Sequence, residues 1–171
     1  MSKNKIRIEK YIGASAIGFY GDRKDELCSV NSTPGDGFLA KVCKDWEKAH
    51  SSVPAIHSSI VRIGVVLDRN SGALKEMLQT LPYFIACPGS GMQILSWIHI
   101  NDLSRIFLHQ LQSESMIPII NGVSPSPSSM KEFTETLKQI YKPFAGVIPA
   151  PSIALQTILG EMSQIVLHSQ N

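Results

Sequence analysis

The run Ile60-Val61-Arg62-Ile63-Gly64-Val65-Val66-Leu67 decides the fold. It is continuous and β-branched, as expected of a strand buried on both faces of a parallel sheet. Upstream of it, Phe38, Leu39, Val42, Cys43 and Trp46 recur at helical spacing, while Lys41, Lys44, Asp45 and Lys48 take the other side. That pattern predicts an amphipathic helix. Further back, Ile6, Ile8 and Ile12 lead into Gly13-Ala14-Ser15-Ala16, a strand entering a tight turn with exposed backbone. Strand, helix and strand make one right-handed crossover, and the chain is of the α/β class.

Downstream, Ala73 to Leu81 reads as a short helix, Cys87-Pro88-Gly89-Ser90-Gly91 as an exposed loop, and Ile94 to Ile98 as a strand. Asn101 or Asp102 is expected to cap a helix running to about Gln112, and Ile117 to Asn121 gives a further short strand. The Ser/Pro stretch 124–129 marks a turn or linker. After it, Phe133, Leu137, Ile140 and Tyr141 form one helical stripe. Leu155, Ile158, Leu159, Met162, Ile165 and Val166 form another, with Gly160 inside that helix at a cost of about 1 kcal/mol relative to Ala. The expected organisation is an α/β body over 1–123 and a small helical region over 124–171, with 73–91 contributing to the second.

The whole chain has 171 residues, 43% of them hydrophobic and 18% charged, which is ordinary for one globular domain and excludes a disordered or collagen-like chain. Sixteen Lys and Arg against 14 Asp and Glu give a formal charge of +2, spread rather than striped, so no nucleic-acid partner is expected. Three cysteines, Cys28, Cys43 and Cys87, make no C-x-x-C pair, which suits a reducing compartment. With no apolar run after the basic N-terminus and none long enough to span a bilayer, the expected setting is the cytoplasm, away from membranes.

Several motif matches dissolve on inspection. Gly35-Asp36-Gly37-Phe38-Leu39-Ala40 fits G-x-G-x-x-A, but follows a polar loop instead of a strand, and Asp36 would repel a pyrophosphate. Tyr20 and Lys24 are spaced like a catalytic phenol and ammonium, yet Gly21 and Asp22 place them in a loop, where that spacing aligns nothing. His50, His57, His99, His109 and His168 have no metal-ligand spacing, and Gly89-Ser90-Gly91 is no nucleophile elbow. Cys43 falls on the apolar stripe of its helix and reads as a buried, inert thiol.

Taken in order, Gly13-Ala14-Ser15-Ala16-Ile17-Gly18-Phe19-Tyr20-Gly21-Asp22, Pro34-Gly35-Asp36-Gly37-Phe38-Leu39-Ala40, Val42-Cys43-Lys44-Asp45-Trp46-Glu47, Arg62-Ile63-Gly64-Val65-Val66-Leu67, Ser96-Trp97-Ile98-His99-Ile100-Asn101-Asp102-Leu103 and Leu159-Gly160-Glu161-Met162 resemble the atypical extended short-chain dehydrogenases/reductases called epimerase-like. These are relatives of NAD(P)-dependent nucleotide-sugar epimerases. The resemblance implies a partial Rossmann-type parallel sheet with a small, mainly helical C-terminal cap, and NADP or NAD as cofactor. It also implies that the glycine-rich first half of a complete member is absent. Each βα repeat takes roughly 30 residues, so about half is missing and cofactor binding by this chain alone is not expected.

Typical extended members carry Tyr and Lys four apart on the crossover helix, with Glu four further on. Aligning on Glu47 puts Leu39 at the Tyr position and Cys43 at the Lys position. Neither can move a proton as that pair does. No catalytic set follows, and Ser15 is the one catalytic candidate. Ser15, Arg62, Gly64 and Val65 are the candidate cofactor-binding residues, and no metal site is expected.

A first strand lacking its preceding neighbour leaves a parallel edge open. A homo-oligomer, or a separately encoded N-terminal half, is the expected partner there, unless the basic opening from Lys3 to Lys10 blunts the edge. The expected function is a truncated NAD(P)-dependent epimerase-like protein with little or no activity alone. Two alternatives stand beside it: a non-catalytic assembly module or half of a split enzyme, and a small-molecule binder using a cleft between Ser15, Arg62 and the loop Cys87 to Met92.

Overall fold

A computed structural model describes residues 7–24, 26–79, 83–160 and 167–169. It begins with strand β1 (Ile8–Ala16), a 3-10 turn at Ile17–Tyr20, helix α1 (Phe38–Ser51) and strand β2 (Ala55–Ile63). The two strands are parallel, with Ser15 opposite Arg62, and β2 pairs in parallel with β7 (Ile119–Gly122) to give the order β1-β2-β7. α1 and α3 (Ile100–Gln112) cover opposite faces. Ser15 and Arg62 point toward α1, while Ile12, Val61 and Ile63 pack with Leu103, Ile106 and Phe107 of α3.

The expected unbroken strand at 60–67 is in fact two strands. β2 starts earlier, at Ala55, and stops at Ile63, while β3 (Val65–Leu67) pairs with β6 (Trp97–His99) in a separate parallel ladder. The break is Gly64. Its N–H donates to Gly122 O at 3.0 Å, in the main sheet, and the next N–H, of Val65, donates to Ser96 O at 2.9 Å. A Cβ at residue 64 would lie 2.6 Å from Ser96 O, so only glycine fits where the chain changes sheets.

The second layer holds α2 (Gly72–Gln79), β4 (Phe84–Pro88), β5 (Ile94–Leu95), β8 (Ser128–Ser129), α4 (Met130–Tyr141), β9 (Gly146–Ala150) and α5 (Ser152–Leu159). β4 pairs in parallel with β9, and β5 antiparallel with β8. Leu67, Leu74, Ile85, Leu95, Met130, Phe133 and Leu137 form its core. Leu74 and Ile85 therefore pack with Met130, Phe133, Leu137 and Ala145. Cys87 and Pro88 belong to a strand and Gly91 is buried, leaving only Ser90 exposed in the stretch from Cys87 to Gly91 that reads as an exposed loop. The expected strand at 94–98 is likewise divided between two ladders.

Three further local expectations are corrected. The N-cap of α3 is His99, whose Nδ1 accepts from Asn101 N–H at 3.1 Å, while Asp102 pairs with Arg105. Ile140 lies outside the core, 65% exposed. Gly160 ends α5 at φ +55°, a left-handed conformation suited to glycine. The predicted continuation through Met162, Ile165 and Val166 lies outside the described residues, as do Ile6, Lys3, Lys5 and Leu81. Lys10 does not guard the β1 edge: its Nζ donates to Leu111 O at 2.8 Å and Ser113 O at 2.9 Å, at the C-terminal end of α3, where a cation complements the helix dipole.

Candidate active-site cleft

The carboxyl end of β1 runs into the 3-10 turn, whose Ile17, Gly18, Phe19 and Tyr20 are all buried. Gly35 lets the returning loop lie against this turn: a Cβ there would meet Tyr20 O at 2.1 Å. The G-x-G-x-x-A match thus serves backbone packing, and α1 starts from Gly37 with no side-chain cap. Tyr20 and Lys24 share no helix. Lys24 sits in a turn at φ +52°, and the Tyr20 hydroxyl donates to Asn121 Oδ1 at 2.6 Å.

Beneath the turn lies a buried polar knot. Arg62, 3% exposed, forks onto Glu47 of α1 through Nε to Oε1 at 2.8 Å and Nη2 to Oε2 at 2.9 Å. Its Nη1 donates to the Tyr20 hydroxyl at 2.9 Å and to Val30 O at 3.2 Å, and its guanidinium stacks 3.5 Å over the Phe19 ring. Burial opposes the charge on Arg62, but the hydrogen bonds of Glu47 and Tyr20 hold its pKa above the ordinary arginine value. Ser15 Oγ donates to the same Glu47 Oε1 at 2.8 Å. The side chains of both leading site candidates are therefore committed to one internal ion pair.

The cleft lies beside this knot. Ala16, Ile17, Gly18, Leu39, Val42, Cys43, Trp46, Ile63, Gly64, Val65, Val66 and Ala73 are among the residues lining about 510 Å³. Gly64 and Val65 are among these lining residues, whereas Ser15, Arg62 and the loop from Cys87 to Met92 are not. Burial pushes the Cys43 thiol up from its ordinary value, so the side chain at the position of the expected ammonium is neutral. Sequence reasoning missed Glu47 as the partner of Arg62, and Trp46 and Ala73 as wall residues. The signal for Glu47 was Arg62 itself, since a cation inside an apolar strand requires a buried counter-charge.

A parallel crossover with its cleft at the carboxyl ends of the strands defines the Rossmann-type α/β class. No family model matches the chain. It is 35% identical over 161 residues to the chloroplastic epimerase family protein SDR39U1 homolog of Arabidopsis thaliana, covering 93% of this chain and 46% of that one. An epimerase family protein of Mycobacterium leprae is 32% identical over 162 residues, covering 91% and 52%. The crystal structure of human epimerase family protein SDR39U1 with NADPH superposes with a TM-score of 0.84 at 28% identity, over 95% of this chain and 56% of that one. The chain is similar to these epimerase family proteins over more than nine-tenths of its own length, and it spans about half the length of the relatives it matches.

Proposed function

We propose that the chain is the substrate-side half of an epimerase-like, NAD(P)-dependent fold, with little or no catalytic activity by itself. The observation that carries this reading is the chemistry of the cleft wall. Leu39 and Cys43 face the cavity where the family resemblance expects a phenol and an ammonium, and Ser15 is tied to Glu47. Neither cleft residue can relay a proton at neutral pH, and burial keeps the thiol protonated.

The cofactor fits in part. A mostly apolar wall from Ala16 to Gly18 and Gly64 to Val66 suits a nicotinamide ring, and the human relative was crystallised with NADPH. Among the described residues, no cation lines the cleft to meet a pyrophosphate, and no glycine-rich turn joins a strand to a helix.

Calorimetric titration of the purified chain with NADPH and NADH tests this reading. No saturable binding tighter than about 100 μM, or about 5.5 kcal/mol, is expected. Tighter binding would overturn the half-site reading.

A further inference from the structure

The apolar stripe of α4 runs past the core it helps to build. Phe133 and Leu137 are buried, whereas Ile140 is 65% and Tyr141 37% exposed. Both exposed residues line a cavity of about 370 Å³, together with Leu67, Leu74, Trp97 and Phe133. That volume lies at the lower end of the range for small-molecule sites, about 300–1,000 Å³. The cavity shares no lining residue with the cleft described above. β3 and α2 form the partition between them: Val66 and Ala73 line the cleft, while Leu67 and Leu74 line the cavity.

One cation borders this apolar lining. The Arg69 guanidinium lies 5.6 Å from the centre of the Tyr141 ring, within cation–π range, and among the described residues no carboxylate is within ion-pair distance of it. Its sequence neighbour Asp68 is occupied, accepting from Asn70 N–H at 2.9 Å and from the Ser71 hydroxyl at 2.9 Å. Arg69 and Tyr141 also line an adjoining hollow with Lys75 and Lys142. Neither the cavity nor the hollow has an acidic residue in its lining. His99, Ser126 and Ser128 add polar groups to the cavity.

We propose that this cavity binds a small aromatic anion, with the ring among Trp97, Phe133 and Tyr141 and the acidic group on Arg69. The lining selects each half of that ligand. Aromatic side chains take a further ring offset or edge-on, and a guanidinium presents a planar fork to a carboxylate or a phosphate. An unpaired cation beside a lining free of acids is complementary to a negative charge and repels a positive one. A neutral apolar ligand would leave Arg69 without a counter-charge, and a ligand without an apolar body would leave the rings uncovered. Nothing in this site draws on the nicotinamide cleft, so the proposal stands apart from the half-site reading.

The test uses the full chain carrying Trp46→Phe, which leaves Trp97 as its one tryptophan and makes its fluorescence a report on this cavity. Hydrocinnamate and phenethyl phosphate are the anionic probes, and hydrocinnamamide is the neutral control. Trp97 emission should change saturably with at least one anion, with a Kd below about 1 mM, and the amide should bind about tenfold more weakly. The tighter of the two anions identifies the acidic group. Arg69→Met should bring the anion down to the affinity of the amide and leave the amide unchanged. Thr136→Phe, which places a ring in the cavity from an exposed position on α4, should abolish both. Added salt should weaken the anion and spare the amide. No saturable response to either anion would overturn the proposal, as would equal affinity for anion and amide, or an anion indifferent to Arg69→Met. None of these readouts uses a nicotinamide cofactor, so failure at this cavity is distinguishable from failure at the cleft.

Discussion

Arg62 and Glu47 are an ion pair whose value lies in being intact. Removing one member leaves the other buried without its counter-charge, which costs about 3–5 kcal/mol. Glu47→Ala should therefore lower the denaturation midpoint steeply. The double variant Glu47→Leu with Arg62→Met should lose less than the sum of the two single changes, a shortfall that a double-mutant cycle measures directly. Cys43, seven residues before His50 on α1, acts in the opposite sense. Its thiol pKa is raised by burial, so the folded state holds the proton that the unfolded chain releases. This contribution is full below the unfolded value, about 8.5, and is lost as pH rises through the higher folded value. Cys43→Ala should flatten the fall in stability above about pH 8.5, as read from urea midpoints across an alkaline pH series.

At the level of elements, Gly64→Ala tests the passage between sheets. The new Cβ would press on the Ser96 carbonyl, a backbone atom without a side chain's freedom to yield, so a loss of about 1–3 kcal/mol is expected. Ser129→Ala tests the start of α4, where Ser129 and Glu132 form a reciprocal capping box. Its loss should cost about 1 kcal/mol, read as a lower Tm. The Ser129 hydrogen bonds also hold the Glu132 carboxyl below its ordinary value, so that contribution is present above the unfolded pKa and fades as pH falls through the folded one.

The first crossover was legible because periodicity is local: α1 and β2 each declare themselves within a dozen residues. β4 and β9 were not. Phe84 pairs with Gly146, far along the chain, and short strands of mixed polarity carry no period long enough to read. The division at Gly64 was hidden for a related reason, since β-branched residues continue on both sides and only the partner strands differ. At the site, Gly64 and Val65 line the cleft wall. The burial of Ser15 and Arg62 against Glu47 depends on a helix-to-strand contact that no spacing rule encodes.

For the molecule as a whole, the cleft is an apolar concavity with Trp46, 52% exposed, at its rim. An environment-sensitive apolar dye should bind there, excited through Trp46 by energy transfer. Val42→Trp, which would fill this cleft, should abolish the binding; a dye unaffected by it sits instead in the separate cavity of about 370 Å³ that Trp97 lines. Among the described residues, no helix is long and apolar enough to cross a membrane.

The wall of the cleft is assembled from two sheets that meet at consecutive amides, Gly64 donating to one and Val65 to the other. That junction is a mechanical joint as well as a boundary. A molecule seated against both sides acts as a brace, and by linkage whatever stiffens the joint tightens the grip on the molecule. Opening motions at residues 64 and 65 should therefore slow in proportion to occupancy, making two neighbouring amides a strain gauge for the cavity.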